Sequence, residues 1–317
     1  MTQPSNHHAL CVGEADTVLM LLDNGSLRPE ATRRLRSLAA ALQARMGEAV
    51  RPVSLLHSNK IDPGQLDGQP AEVLEGSLQR CIAARVRRIG VIPAFFGPSR
   101  AITDYLPERL DDWAARVPGA RWAIAAPIVP PEAEGDDRIA RILADHVRSL
   151  WRGAPEAAGG TVVVVDHGSP VEAVTAVRNR VAEQLARLLE GKAAEVVAAS
   201  MERRPGPEYA FNEPLLASAL ERIARGGAGG RRRAAVTVAM MFLSPGRHAG
   251  PGGDVATICR EAESACPALR VWTTPLVGEH PGLIEILVER CREVVAALED
   301  GAAAEDVSAV GRRRGGG

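Results

Sequence analysis

The chain carries the same pattern twice, and that duplication constrains its fold more than any other feature. Residues 17–26 read TVLMLLDNGS and residues 161–169 read TVVVVDHGS, each an apolar run followed by Asp, one polar residue, Gly and Ser. Further on, VRRIGVIPAFFGPSRAITD (86–104) parallels RRAAVTVAMMFLSPGRHAGPGGD (232–254), and WAIAAPIV (122–129) parallels VWTTPLVG (271–278). The second copy trails the first by a nearly constant interval, so each copy is one structural unit. A length of 317 residues, set against about 100–200 residues per domain, agrees with two units.

RGAPEAAGG at 152–160 supplies Pro and Gly between two periodic segments and marks the boundary. The expected division is a first unit over 15–152, a linker over 153–160 and a second unit over 161–299. Residues 1–14 and 300–317, the latter ending RRRGGG, read as loose polar tails.

Inside each copy, short apolar runs suited to fully buried strands alternate with longer amphipathic segments. That alternation is the signature of an α/β fold, a parallel sheet covered by helices on both faces. Strands are expected near 17–22, 50–56, 89–95 and 122–128, and again near 161–165, 194–200, 234–242 and 270–275. Val171, Val174, Val177, Val181, Leu185 and Leu188 recur at helical spacing after the second HGS-type turn, as Leu35, Leu38 and Leu42 do after the first. The two units are expected to face each other across a cleft.

Charge and cysteine usage exclude several function classes. With 38 basic and 39 acidic side chains and a net charge of −1, no overall field draws the chain to nucleic acid or to an anionic membrane. No apolar run approaches the roughly 18 residues of a membrane span, and no basic-then-apolar leader opens the sequence. The five cysteines include no CxxC pair, which argues against a disulfide framework, a zinc ribbon or an iron–sulfur motif and for a reducing cytoplasm.

Ligands of open parallel sheets bind beyond the carboxyl ends of the strands. Three such positions in the second copy carry metal-competent side chains: His167 after VVVVD, Glu202 after EVVAASM, and His248 after TVAMMFLSPGR. Neutral imidazole suits borderline divalent ions, and a carboxylate completes the ligand set or accepts a proton. Singly, each has a plainer reading: a turn histidine, a solvated charge cluster with Arg203 and Arg204, and a histidine exposed on a glycine-rich loop. Their occurrence together at equivalent strand ends favours the metal site. The first copy places Asn24, His57 and Ala101 at the matching points, so it cannot rebuild the site and reads as a structural partner closing one side of the cleft. Ser26, Arg28 and Arg100 remain its candidates for substrate contact.

The order of apolar strand, HGS, helix, strand ending in Met-Glu, then strand followed by SPGRH and a downstream Asp resembles the sirohydrochlorin chelatases of the CbiX type, relatives of protoporphyrin ferrochelatase. The likeness spans residues 17–298, and EHPGLIEILVERC (279–291) is similar to the family's closing segment. The resemblance implies a lyase of cobalamin or siroheme biosynthesis that inserts Co2+, Fe2+ or Ni2+ into sirohydrochlorin or a related tetrapyrrole. The metal is then a substrate and no cofactor is retained. His167 and His248 would bind the incoming ion, and Glu202 would ligate it or remove pyrrole protons.

A macrocycle rimmed with carboxylates calls for guanidinium forks. Arg203, Arg204 and Arg247 adjoin the ligand positions, Arg178 lies in the helix after HGS, and Ser169 joins them as a candidate substrate contact. GPGG at 250–253 would let the backbone approach a flat ring, but it lengthens the His248–Asp254 spacing beyond the family's HxxxD. ERRPGPEYAFNEP (202–214) is also expanded. A single chain that supplies both lobes is expected to act as a monomer.

Two rival classes stay open, a non-catalytic metal- or tetrapyrrole-binding protein and a purely structural scaffold. A hydrolase built on Ser169 lacks the GxSxG elbow, and neither strand-to-helix turn reads GxGxxG for a dinucleotide. Convergence of the His167 and His248 rings to within roughly 7 Å, close enough for small rotations to bring both onto one ion, separates the chelatase from the scaffold.

Overall fold

The structure is a computed structural model that describes residues 16–227 and 234–300. The terminal segments 1–14 and 301–317, with the RRRGGG end, lie outside the described residues. Strands β1 (Thr17–Asp23), β2 (Val50–Ser54), β3 (Arg88–Pro93) and β4 (Arg121–Ile124) form one sheet in the order β2-β1-β3-β4. Strands β5 (Thr161–Asp166), β6 (Glu195–Ser200), β7 (Ala234–Met240) and β8 (Leu269–Thr273) form a second in the order β6-β5-β7-β8. Every pairing is parallel. The central strands are buried on both faces, with Val162, Val163, Val164 and Val165 consecutive and fully inaccessible. Runs of β-branched residues without alternation are what a doubly covered sheet requires.

Among the described residues, eight α-helices cover the sheets: α1 (Pro29–Met46), α2 (Leu74–Ala83), α3 (Leu106–Ala114), α4 (Arg138–Gly153), α5 (Glu172–Leu188), α6 (Leu216–Gly227), α7 (Asp254–Ala265) and α8 (Gly282–Glu299). Helix α1 opens with proline at its first position and closes on Gly47 at φ 77°, the pairing of start and stop residues that needs the least backbone strain. Helix α5 buries Val177, Val181 and Leu185 as its periodicity demands.

The halves exchange their last helices. Helix α4, from the first half, lies on α5 and β7, whereas α8, from the second half, lies on β3, β4 and α1. A side chain at Gly90 in β3 would put its Cβ 2.3 Å from Val294 of α8, so only glycine lets that helix settle on the strand. Trp151 of α4 donates its indole N–H to Thr237 of β7 at 3.0 Å, and Arg290 of α8 donates to the Pro127 carbonyl at 3.2 Å. The largest buried cluster therefore runs through both units, joining Leu19 and Leu21 to Val162 and Val164 through residues of α1, α4, α5 and α8. Two smaller clusters lie under the outer helices of each sheet.

The exchange brings the carboxyl rims of the two sheets together. Gly97, beyond β3, packs against Val174 and Val177 of α5, and the Ser26 hydroxyl lies 3.8 Å from where a Cβ would stand on Gly246. Among the described residues, no helix is long and apolar enough to cross a membrane.

Candidate metal site

The turn after β5 sets the geometry of the site. Gly168 adopts φ 90°, and a Cβ there would stand 2.0 Å from the Glu202 carbonyl oxygen. Glycine in HGS is thus required both by its conformation and by the loop after β6 closing over it. Glu202 donates its N–H to the His167 carbonyl at 3.2 Å. Two strand ends that are far apart in sequence thereby deliver His167 and Glu202 side by side, and His167 Nε2 lies 3.5 Å from Glu202 Oε1.

A buried polar network holds this turn from below. Asp166 Oδ1 accepts from the Gly168 N–H at 3.1 Å and from the Ser200 hydroxyl at 2.8 Å. Arg178 is 1 % exposed, pairs with Asp166 at 3.7 Å, and donates to the Ser200 hydroxyl and to the Asn212 carbonyl at 3.1 Å. Asn212 in turn grips the Ser169 backbone, accepting its N–H and donating to its carbonyl, each at 2.9 Å. Burial raises the Asp166 carboxyl above its usual range, and the Arg178 charge opposes that rise. Burial likewise lowers the Arg178 guanidinium.

His248 arrives from the loop after β7, and its ring centre stands 4.5 Å from that of His167 with the planes at 75°. The rings converge as the metal reading requires. The GPGG insertion does not prevent His248 from meeting its aspartate, because tight turns, with the Gly250 N–H on the Gly246 carbonyl and the Gly253 N–H on the Gly250 carbonyl, fold the extra length back. His248 Nδ1 lies 2.7 Å from Asp254 Oδ2, and His167 Nδ1 lies 3.0 Å from the Gly168 carbonyl. Carboxylate and carbonyl oxygens only accept, so each ring donates from Nδ1, and in its neutral form presents Nε2 as the ligating atom. Donation from Nδ1 to an oxygen is how ligating histidines are commonly oriented.

The site is open. The His167 and Glu202 side chains are 50 % and 58 % exposed, and among the described residues no three His, Cys, Asp or Glu groups are closed into metal-holding geometry. Two imidazoles with a carboxylate beside them make a weak, accessible ligand set rather than a cage.

Other site candidates take different places. Arg178 is a buried structural residue and not a substrate contact; its guanidinium is spent on Asn179, Asp166, Ser200 and Asn212. Arg203 braces the expanded 202–214 loop through Glu213 at 2.7 Å and the Gly206 carbonyl at 3.0 Å. Ser169 accepts from the Val171 N–H at 3.0 Å at the entry to α5. Arg204 is exposed, and Arg247 is 77 % exposed beside Asp254.

The first lobe repeats the backbone without the ligands. Leu55 donates to the Asp23 carbonyl at 2.8 Å as Met201 does to Asp166 at 2.8 Å, and Leu56 donates to Asn24 as Glu202 does to His167. Leu56, not His57, therefore occupies the place of Glu202. The histidine had suggested the alignment, whereas the strand register places it one residue later, opposite Arg203. Asn24 and Ala101 fall at the places of His167 and His248 as expected, the latter because Ala94 and Met241 make the same backbone bond to β1 and β5.

The CbiX family model matches residues 18–149 and 161–294, one copy in each half. The chain belongs to the CbiX family. Among solved structures, SirB from Bacillus subtilis with Fe3+ superposes at a TM-score of 0.66 and 16 % identity, covering 90 % of this chain and 98 % of that one. SirB from Bacillus subtilis subspecies spizizenii in complex with cobalt, described as a sirohydrochlorin chelatase, gives 0.61 at 14 % identity over 90 % and 97 %. CbiX, described as the terminal enzyme for siroheme biosynthesis in denitrifying bacteria, gives 0.54 at 20 % identity over 87 % and 98 %. At these identities the likeness is one of fold. No curated protein matches the chain by sequence.

Proposed function

We propose that this CbiX-family protein inserts a divalent metal, Co2+ or Fe2+, into sirohydrochlorin or a closely related tetrapyrrole on the way to cobalamin or siroheme. The observation that carries the reading is the spacing of His167 Nε2 and Glu202 Oε1 at 3.5 Å, with a second imidazole at 4.5 Å between ring centres. Two donors each about 2.1 Å from one tetrahedral ion stand about 3.4 Å apart. With His167 neutral, its Nε2 lone pair and the Glu202 carboxylate repel at that distance, and a cation between them turns the repulsion into coordination. Membership of the CbiX family and the likeness in fold to SirB bound to iron and to cobalt support the same reading.

Metallation exchanges two pyrrole N–H protons for one M2+. The ion enters hydrated, so the protein must replace water with donors that release it again, and His167 and His248 supply two neutral ones from an open rim. Glu202, exposed beside them, receives protons leaving the ring and passes them to solvent. Asp254 holds the His248 ring so that its lone pair is aimed at the site before the metal arrives. Arg204 and Arg247 are exposed beside the ligands in sequence and take the carboxylates of the macrocycle edge, Arg247 exchanging its exposed pairing with Asp254 at 3.6 Å for them.

The test is anaerobic incubation of the full chain with sirohydrochlorin and either cobalt or ferrous ion, following the visible spectrum of the macrocycle. The native chain converts the free-base spectrum to that of the metal complex, and His167→Ala and His248→Ala lose this activity with unchanged circular dichroism. Unaltered rates in both variants would remove the proposal. Binding of tetrapyrrole without turnover would instead identify a carrier.

A further inference from the structure

A second pair of facing imidazoles lies at the seam between the two halves. His146 comes from α4, the helix that the first half places on the second sheet, and His280 from the corner that joins β8 to α8. Their ring centres stand 5.2 Å apart with the planes at 89°. His146 is 9 % exposed, and its Nε2 is buried with no hydrogen-bond partner among the described residues. The ring meets the Leu276 carbonyl, and its titratable neighbours are His280, Glu279 and Asp145. Burial lowers the His146 imidazole below its usual range, with His280 adding to the fall, so the ring is neutral at pH 7.

The pair does not form a second metal site. His280 Nδ1 accepts the Gly282 N–H at 3.0 Å, which puts the proton of the neutral ring on Nε2, 3.8 Å from Asp145 Oδ2. Its one lone pair is already used.

The corner instead braces the exit of β7. Thr274 Oγ1 accepts the Met240 N–H at 3.0 Å, Gly278 donates to the Phe242 carbonyl at 3.2 Å, and a Cβ on Gly278 would stand 1.6 Å from the Leu243 carbonyl oxygen. Beyond Leu243 a cavity of about 240 Å3 opens between the His248 loop and the corner, with Pro245, Ala249 and Pro251 on one side and Thr273, Leu276 and Glu279 on the other. A loop with space behind it takes its position from its anchors. Those anchors are the corner at Phe242 and Leu243, and Asp254 at the start of α7.

We infer that His146 is a positioning residue for His248. It acts through the corner: α4 holds Leu276 and His280, these fix Gly278, and Gly278 sets where the SPGRH loop leaves the sheet. A rigid imidazole that donates to a backbone carbonyl fixes the distance between helix and corner, as an aliphatic side chain does not. The inference rests on the metal reading of His167 and His248. It gives the first half a part in metal handling although that half carries no ligand.

The experiment measures cobalt affinity of the full chain by equilibrium dialysis, with the thermal midpoint and sirohydrochlorin metallation alongside. His146→Leu keeps much of the ring's volume and removes its donor. The Leu276 carbonyl retains the Glu279 N–H at 2.9 Å, and a buried nitrogen without a partner is lost, so the fold holds. Cobalt affinity is expected to fall about tenfold, the lower end of the cost of losing a group that orients ligands. The kcat for metallation falls with it, while KM for the tetrapyrrole stays. His146→Asn keeps an N–H at the place of Nδ1 and restores affinity. Native cobalt affinity in His146→Leu overturns the inference, and so does a loss that His146→Asn fails to recover. A native chain that binds cobalt in a His146-dependent way without metallating the tetrapyrrole overturns the chelatase reading and keeps the positioning role. A native chain that metallates while His146→Leu binds cobalt normally does the reverse.

Discussion

Asp23 and Asp166 end equivalent strands, accept the N–H of equivalent glycines at 3.0 and 3.1 Å, and lie beside Ser54 and Ser200. Only Asp166 has a buried arginine against it. Leu35 occupies, in α1, the place that Arg178 holds in α5. Burial pushes the Asp23 carboxyl up to about 6, so the first lobe carries its aspartate at the cost of holding a proton more tightly. The second lobe keeps a counter-charge instead, and uses it to bind Ser200 and Asn212 under the HGS turn. The same backbone thus carries a lobe without metal ligands and a lobe whose buried charges underlie the turn that bears them. Duplication preserved the turn and let its chemistry diverge.

The sharpest way to break this comparison is to remove the ligands on one side and their counterparts on the other. His167→Ala is expected to lose at least about a hundredfold in metallation rate, beyond the effect typical of a supporting group. Asn24→Ala, at the equivalent place, should retain native metallation. Equal losses in the two would mean that the first lobe handles metal as well.

Next in size is a single substitution expected to act with opposite signs in the two lobes. Asp166→Asn leaves Arg178 buried without its partner and should destabilise the fold by about 3–5 kcal/mol. Asp23→Asn keeps the acceptor for the Gly25 N–H and removes a carboxyl that must ionise in the interior. A carboxyl whose folded value, about 6, exceeds its unfolded one binds more protons folded than unfolded between those values. Folding stability therefore falls as pH rises from about 4 to about 6. Asp23→Asn should remove this slope and gain about 1–3 kcal/mol at pH 7 but nothing at pH 4. Urea melts at both values would read it, and a stabilising Asp166→Asn would contradict the assigned role of Arg178.

A smaller effect is expected at the residue that orients His248. Asp254→Asn should lower cobalt affinity or metallation about 10- to 100-fold with the fold intact. An unchanged affinity would show that the hydrogen bond at 2.7 Å does not aim the ring. The smallest effect belongs to Arg45→Ala, which breaks the exposed ion pair to Glu285 between α1 and α8. It should leave the thermal midpoint where it was, since solvent screens such pairs and the buried helix exchange holds the halves together.

The strands were legible because a doubly covered parallel sheet writes its burial as unbroken apolar runs, TVVVVD being the plainest. The ligands were legible because HGS, Met-Glu and SPGRH follow three of those runs. Arg178 was misread because a guanidinium at helical spacing looks the same whether it points to solvent or to a buried aspartate. The His57 alignment failed for a related reason: a histidine stands out in a sequence, whereas strand register shows only in backbone hydrogen bonds. Leu56 gave no signal, since leucine after an apolar run reads as more core. The exchange of α4 and α8 was equally hidden, because amphipathic periodicity tells that a helix has a buried face and not which sheet covers it.

By itself the sequence determined two copies of one parallel α/β unit, their strands, and the residue types gathered at the strand ends, because these follow from local periodicity and composition. Tertiary structure decided which lobe each helix covers, that the rings of His167 and His248 meet with Glu202 beside them, and that Leu56 rather than a carboxylate stands at the matching place of the first lobe. Those outcomes depend on distances between segments that are remote along the chain, and only the packed core sets them.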